Sequence, residues 1–182
     1  MTADGPVATL PAGYSIRPHR RDDDRWLLKV ENRAAALFRE HGYPQIADNP
    51  LASLADFRAM LEGHQCWVVV DDASRLPVGY AVAGPRGEFL HLREISVDPG
   101  HGRKGLGASL VRHVIQEARR GRHRGVSLTT FRYVPFNAPF YARRDFSVLP
   151  WEEAPSALRE TFLSELPAGV AAWERVLMLH SF

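Results

Sequence analysis

Four glycines fall within the stretch Gly100 to Gly107, interleaved with Arg103 and Lys104. They separate two apolar runs of different period. Before them, Glu94-Ile-Ser-Val97 reads as the end of a strand. After them, Leu106, Leu110, Val111, Val114, Ile115 and Ala118 recur at helical spacing and define one buried face. Strand, glycine turn and helix must therefore follow in that order. Glycine lets a backbone approach a ligand with no Cβ in the way. A helix N-terminus presents unpaired N–H groups and the positive end of a dipole, which together favour phosphate. Arg103 and Lys104 add full charges beside them.

Several readings compete for this stretch, and an ordinary glycine turn before a helix is one of them. A Walker A loop is excluded, because no Gly-Lys-Ser/Thr follows the glycines. Gly100, Gly102 and Gly105 satisfy G-x-G-x-x-G, the dinucleotide fingerprint. That fingerprint needs an acid at the tip of the next strand, about 20 residues on. The next strand, residues 126–131, carries none. The stretch also resembles the acetyl-CoA loop of the GNAT N-acetyltransferases: V-x-P, a few variable residues, then Q/R-x-x-G-x-G/A. Val97, Asp98, Pro99, Gly105, Leu106 and Gly107 fall at that spacing. One position departs, with Gly102 where the family has Gln or Arg.

A second motif lies downstream. Asn137, Phe140, Tyr141 and Phe146 match the family's pattern of Asn, short helix, Phe-Tyr and Gly-Phe. Asp145 stands in place of the glycine. That position closes the short helix in a left-handed conformation, which costs a non-glycine residue roughly 1–2 kcal/mol; Asp tolerates it better than most. Both motifs, in order and at the expected separation, resemble the family over roughly residues 14–180.

The 182 residues fit one domain, with residues 1–13 a flexible tail and 14–182 the N-acetyltransferase domain. Net charge of +2 gives no footprint for nucleic acid. The cations around Arg119 to Arg124 read as complements to a helix C-terminus. Cys66 is the single cysteine, so no internal disulfide forms and a reducing compartment is expected. The N-terminal residues lack a signal-peptide pattern, and no apolar run is long enough for a bilayer. A cytoplasmic protein with no membrane partner, monomer or homodimer, is the expectation.

Seven strands and five helices are predicted, in the order β-α-α-β-β-β-α-β-α-β-α-β, which gives a mixed sheet with helices on both faces. The resemblance implies an α/β (α+β) fold with a mostly antiparallel central sheet of about seven strands and a bulged fourth strand. The first helix carries Leu27, Val30, Ala34, Leu37 and Phe38, with Asp22, Asp23 and Asp24 at its start. A loop over 43–50 leads to a second helix, capped by Asn49 with Pro50 at its first position. In the strand 89–97, apolar residues occupy Leu90 and Leu92, then Ile95 and Val97. The phase slips by one. Two arrangements satisfy this: a β-bulge near residues 93–96, or a strand buried on both faces.

The resemblance implies transfer of an acetyl group from acetyl-CoA to a primary amine of a small molecule or protein, without a metal. The alternative is a non-catalytic acetyl-CoA sensor or partner-binding domain on the same fold. The pyrophosphate would meet the backbone of Gly102, Arg103, Lys104, Gly105, Leu106, Gly107 and Ala108. The pantetheine arm would pair with Ile95, Ser96 and Val97, with the Val97 N–H also serving the oxyanion. Asn137 would hold the arm from the other side or cap the short helix. Glu94 is the candidate base, directly or through water, or else an arginine partner. His91 is a weaker candidate. Tyr141 is the candidate acid for the departing thiolate. For the acceptor, Phe38, His41, Tyr43, Tyr80, Tyr133 and Trp151 make an aromatic set. The acyl group itself is acetyl or longer.

Overall fold

The computed structural model describes residues 9–182. Most of the tail expected over residues 1–13 lies outside them. Within them, Leu10 packs against the main core and the Gly13 carbonyl accepts the N–H of Asp72 at 2.9 Å.

Seven strands form one sheet: β1 (Tyr14–Pro18), β2 (Gln65–Asp71), β3 (Pro77–Arg86), β4 (Phe89–Val97), β5 (Gly125–Phe131), β6 (Ser147–Val148) and β7 (Arg175–Ser181). Their order is β1-β2-β3-β4-β5-β7-β6. Only β4 and β5 run parallel; every other neighbouring pair is antiparallel. The mixed, mostly antiparallel sheet of the resemblance is thus present. Six helices accompany it: α1 (Asp24–Ala35), α2 (Pro44–Asp48), α3 (Leu54–Leu61), α4 (Leu106–Arg120), α5 (Ala138–Ala142) and α6 (Ser156–Ser164).

Strand alternation divides the core between the two faces. In β2, Trp67 and Val69 turn to one face, where they meet Leu106, Leu110, Val111 and Val114 of α4. Val68 and Val70 turn to the other, against Leu27 and Val30 of α1 and Phe57 and Met60 of α3. Leu158 and Phe162 of α6 cover Leu177 of β7 in a smaller cluster.

The phase slip in β4 is a bulge. Val82 pairs with Glu94 and Ala83 with Leu92, so Arg93 is the extra residue. Leu90, Leu92, Ile95 and Val97 consequently share the α4 face. The bulge also ends the parallel ladder. β4 and β5 pair only from Leu90–Val126 to Leu92–Leu128, although both strands continue. Beyond that point they splay and open a cleft through the sheet.

Several local expectations are corrected. The second helix is not capped by Asn49. Pro44 instead starts the extra turn α2, and the Asn49 side chain donates back to the Gln45 carbonyl at 2.8 Å. The helix starts later, where Ser53 Oγ accepts the N–H of Asp56 at 3.1 Å. The first helix tightens into a 3-10 segment, Ala36–His41, and leaves Leu37 41% exposed. Its aspartates do more than meet a dipole. Asp23 takes both Arg17 nitrogens at 2.7 Å and the Arg20 N–H at 2.7 Å. Asp24 takes His19 and Arg58, each at 2.6 Å. Both carboxylates are buried and tie β1 and α3 to α1. Among the described residues no helix is long and apolar enough to cross a membrane.

Candidate active site

The splayed strands open into a cleft of about 1260 Å³, larger than ordinary small-molecule pockets. Its two halves differ in charge.

One half lies at the start of α4. Gly105 is the N-cap, in the left-handed region at φ 82°. It has no side chain to cap the helix, and the first intrahelical bond runs from Ser109 N–H to the Gly105 carbonyl. The N–H groups of Leu106, Gly107 and Ala108 are left for a ligand. A Cβ built on Gly105 would meet nothing within 4 Å; one on Gly107 would reach Phe140 at 3.5 Å. The turn residue Arg103, at φ 60°, lines the cleft together with Gly102. Arg143 and Arg144 line it from the end of α5. Lys104, expected here as a countercharge, turns away: its ammonium donates to the Tyr14 hydroxyl at 3.0 Å.

The walls come from β4 and α5. Asp98 N–H donates to the Val78 carbonyl at 2.8 Å. Because bonding alternates along an antiparallel strand, Ser96 turns its backbone to Tyr80, and the Ile95 and Val97 N–H groups point toward the cleft. Asn137 precedes α5 but does not cap it with its side chain. Its Oδ1 is buried without a partner, and the residue lines the cleft. Tyr141 is 5% exposed and lines the same wall. Burial, then the negative charge of Glu94, hold its hydroxyl well above the usual phenol range, so it stays protonated. Asp145 closes α5 at φ 63°, the left-handed conformation anticipated for that position.

The other half carries carboxylates. Glu94 Oε1 accepts the N–H of Ile95 at 2.9 Å. Burial, then the Glu31 carboxylate and more weakly Glu165, push the Glu94 carboxyl well above its ordinary range; the Ile95 N–H and Arg175 oppose this. Glu31 Oε2 accepts both the Tyr80 hydroxyl and the Ser96 hydroxyl, each at 2.6 Å. Glu165, just past α6, meets His91 Nε2 at 3.2 Å and the Thr129 hydroxyl at 2.6 Å. Burial would raise its carboxyl, but these partners and Arg175 hold it below the ordinary value. His91 is 1% exposed and bonded to Ser127 through Nδ1 at 2.9 Å, a structural position.

Of the aromatic set proposed for the acceptor, Phe38 alone lines the cleft. Tyr80 is wholly buried against Phe57 and reaches the cleft only through Glu31. Tyr43 packs on Phe131 and bonds Glu174 at 3.1 Å. His41 packs edge-on against Phe136, Tyr133 is 66% exposed outside the cleft, and Trp151 packs on Phe162. Sequence reasoning missed Glu31, Glu165, Arg175, Arg143 and Arg144. Glu31 had a signal. It lies four residues after Leu27 on the inward stripe of α1, where an unpaired charge is costly.

Among the described residues no group of His, Cys, Asp and Glu is placed to hold a metal ion. A seven-stranded sheet splayed at a bulge, with a glycine turn and helix N-terminus at the opening, defines an acyl-CoA-type transferase fold. The profile of the Acetyltransferase (GNAT) family matches residues 32–146, and the chain belongs to that family. The ribosomal-protein-S18-alanine N-acetyltransferase of Escherichia coli shares the fold at TM-score 0.65 and 16% identity, over 93% of this chain and 95% of that one. PaiA N-acetyltransferase of Thermoplasma acidophilum, solved with coenzyme A, does so at 0.66 and 12%, over 93% and 99%. A mycothiol acetyltransferase of Cellulomonas flavigena is 35% identical over 80 residues. That match spans 44% of this chain and 23% of the relative.

Proposed function

We propose that the protein transfers an acetyl group from acetyl-CoA to a primary amine. The observation that carries this reading is the cleft itself, which joins a cationic half at a free helix N-terminus to an acidic half through the gap between β4 and β5. The residues present suit the cofactor. The N–H groups of Leu106, Gly107 and Ala108, with the backbone from Gly102 to Gly105, cradle a pyrophosphate. Arg103, Arg143 and Arg144 counter its charge. Ile95 and Val97 offer strand edges to the peptide-like arm, and the unpartnered Asn137 Oδ1 accepts a donor from it.

Acetyl-CoA supplies the acetyl thioester; the amine nitrogen takes the acyl carbon, the C–S bond breaks and CoA leaves as its thiol. An alkylamine arrives as an ammonium and must first lose a proton. Glu94 accepts it, directly or through a water, and its raised proton affinity narrows the mismatch. The Val97 N–H stabilises the developing oxyanion. Tyr141 donates its hydroxyl hydrogen bond to the departing sulfur, and the second amine proton ends on that sulfur.

The acidic half suits a cationic acceptor that enters past Phe38 and Glu31. The domain is residues 14–182. The cofactor half is tested by thermal unfolding with acetyl-CoA, CoA and NAD. Acetyl-CoA should raise the melting temperature and NAD should not. A shift with NAD and none with acetyl-CoA would overturn it.

A further inference from the structure

Tyr80 and Ser96 are register partners across β3 and β4. Their side chains therefore stand side by side on one face of the sheet. Both hydroxyls donate to the same atom, Glu31 Oε2, at 2.6 Å. Such short contacts are those of charge-assisted bonds to a carboxylate. Each hydroxyl has one proton to give, and both give it to Glu31. The two donors lie in protected positions: Tyr80 is wholly buried and Ser96 is 7% exposed. Glu31 is thus a fixed acceptor, anchored from below by the sheet and from behind by α1. Glu94 lies two residues before Ser96, past the bulge, so it projects from the same face.

We propose that Glu31 is a positioning residue for the acyl transfer: Tyr80 and Ser96 hold its carboxylate over the face of β4 that also carries Glu94, and that fixed carboxylate makes Glu94 the carboxyl that takes the acceptor's proton. The inference rests on the transferase reading above. Glu31 need not touch the reacting atoms. The proton passes from the acceptor ammonium to Glu94, the freed nitrogen lone pair forms the bond to the acyl carbon, and the C–S pair leaves with sulfur. The clamp acts on the first of these events alone. A carboxyl at its ordinary proton affinity is a poor match for an alkylammonium. A like charge held nearby improves the match.

Glu94 faces titratable groups from several elements. Glu31 approaches from α1, Glu165 from the segment after α6, Arg175 from β7 and Tyr141 from α5. Glu165 already has its own partners in His91 and Thr129, and Arg175 acts in the opposite sense. Glu31 is the largest of the like-charge contributions. Its two hydroxyl donors fix its place on this face of the sheet.

The test is a direct titration of Glu94 by carboxyl 13C NMR on the full chain, with the resonance assigned by its loss in Glu94→Gln. In Glu31→Gln the Glu94 midpoint should fall by about one pH unit or more. Tyr80→Phe and Ser96→Ala each remove one donor and no charge, and should give smaller downward shifts. Those two variants keep the test decisive should Glu31→Gln fold poorly. Glu31→Asp should retain part of the effect, as packing alone would not. A Glu94 midpoint unchanged in all of them overturns the clamp, whatever the enzyme does. The acidic limb of kcat/KM should move to lower pH in parallel. A shifted midpoint in a protein that acetylates no amine would overturn the catalytic purpose of the clamp, and that failure belongs to the transferase reading.

Discussion

Glu94 Oε1 accepts the N–H of Ile95, its own neighbour, at 2.9 Å. Ile95 is one of two residues whose N–H points into the cleft, so one carboxyl occupies a donor that the pantetheine arm would use. Glu94→Gln keeps an oxygen for that N–H and removes only the ability to take a proton. At neutral pH kcat/KM should fall by about 10²–10⁴. The sign of the pH dependence follows from the raised proton affinity of Glu94. As a base it works above its pKa and is lost as pH falls through it. The variant should lose that acidic limb and recover relative to wild type at high pH, where the amine is already free. A loss by the same factor at every pH would make Glu94 positional.

Tyr141→Phe keeps the ring that packs edge-on against Phe140 and Phe146 and removes the hydroxyl. Stability should change by no more than about 1 kcal/mol. The hydroxyl acts as sulfur departs, so kcat should fall about a hundredfold or more while the Michaelis constant for acetyl-CoA holds. Steady-state kinetics on the folded variant decide it. A rise in the Michaelis constant alone would make Tyr141 a binding residue.

Gly105→Val tests the phosphate cradle. Space is not the constraint, since a Cβ there meets nothing within 4 Å. Backbone conformation is: φ 82° costs an L-residue roughly 1–2 kcal/mol, and a β-branched one more. The turn should shift, the helix N–H groups should lose their aim, and the thermal shift with acetyl-CoA should vanish. Affinity retained in calorimetry would reduce the loop to an ordinary turn.

Asp23 sets an acid limit on stability. Burial would raise its carboxyl, but Arg17 and the Arg20 N–H overcome this and hold it below the usual value. Its contribution is therefore full above the unfolded pKa near 4 and is lost as pH falls through the folded one. Arg17 is 24% exposed, which screens the pair. Asp23→Asn should cost about 1–3 kcal/mol at pH 7 in denaturant unfolding. The gap to wild type should close below about pH 4. A gap that persists undiminished there would mean that packing, and not the ion pair, sets the loss.

The phase slip across Leu90, Leu92, Ile95 and Val97 was legible but left two arrangements open, a bulge or a strand buried on both faces; the resemblance implied the bulge, and the structure supplies Arg93 as its extra residue. The left-handed turn at Asp145 was legible only through the resemblance, whose pattern has a glycine at that position. The acceptor side was not. Tyr43, Tyr80 and Tyr133 read alike in sequence, yet one packs on Phe131, one is buried under α1 and one faces solvent. An aromatic residue at a core edge and one at a pocket wall have the same local pattern. Only the packing of α1 and the return of the chain past α6 decide which it is. Glu165 and Arg175 reach the cleft from that return, 71 and 81 residues beyond Glu94 in sequence (165 − 94 and 175 − 94).

The central claim is acetyl transfer, and free thiol released from acetyl-CoA across a panel of primary amines, with the acetylated product weighed by mass spectrometry, measures it most directly. At least one amine should give CoA and acetylamine in equal amounts, with Tyr141→Phe and Glu94→Gln lowering both together. Binding of acetyl-CoA with no release above the hydrolytic background for any small amine or peptide N-terminus would contradict the claim and leave a cofactor-binding domain without transferase activity.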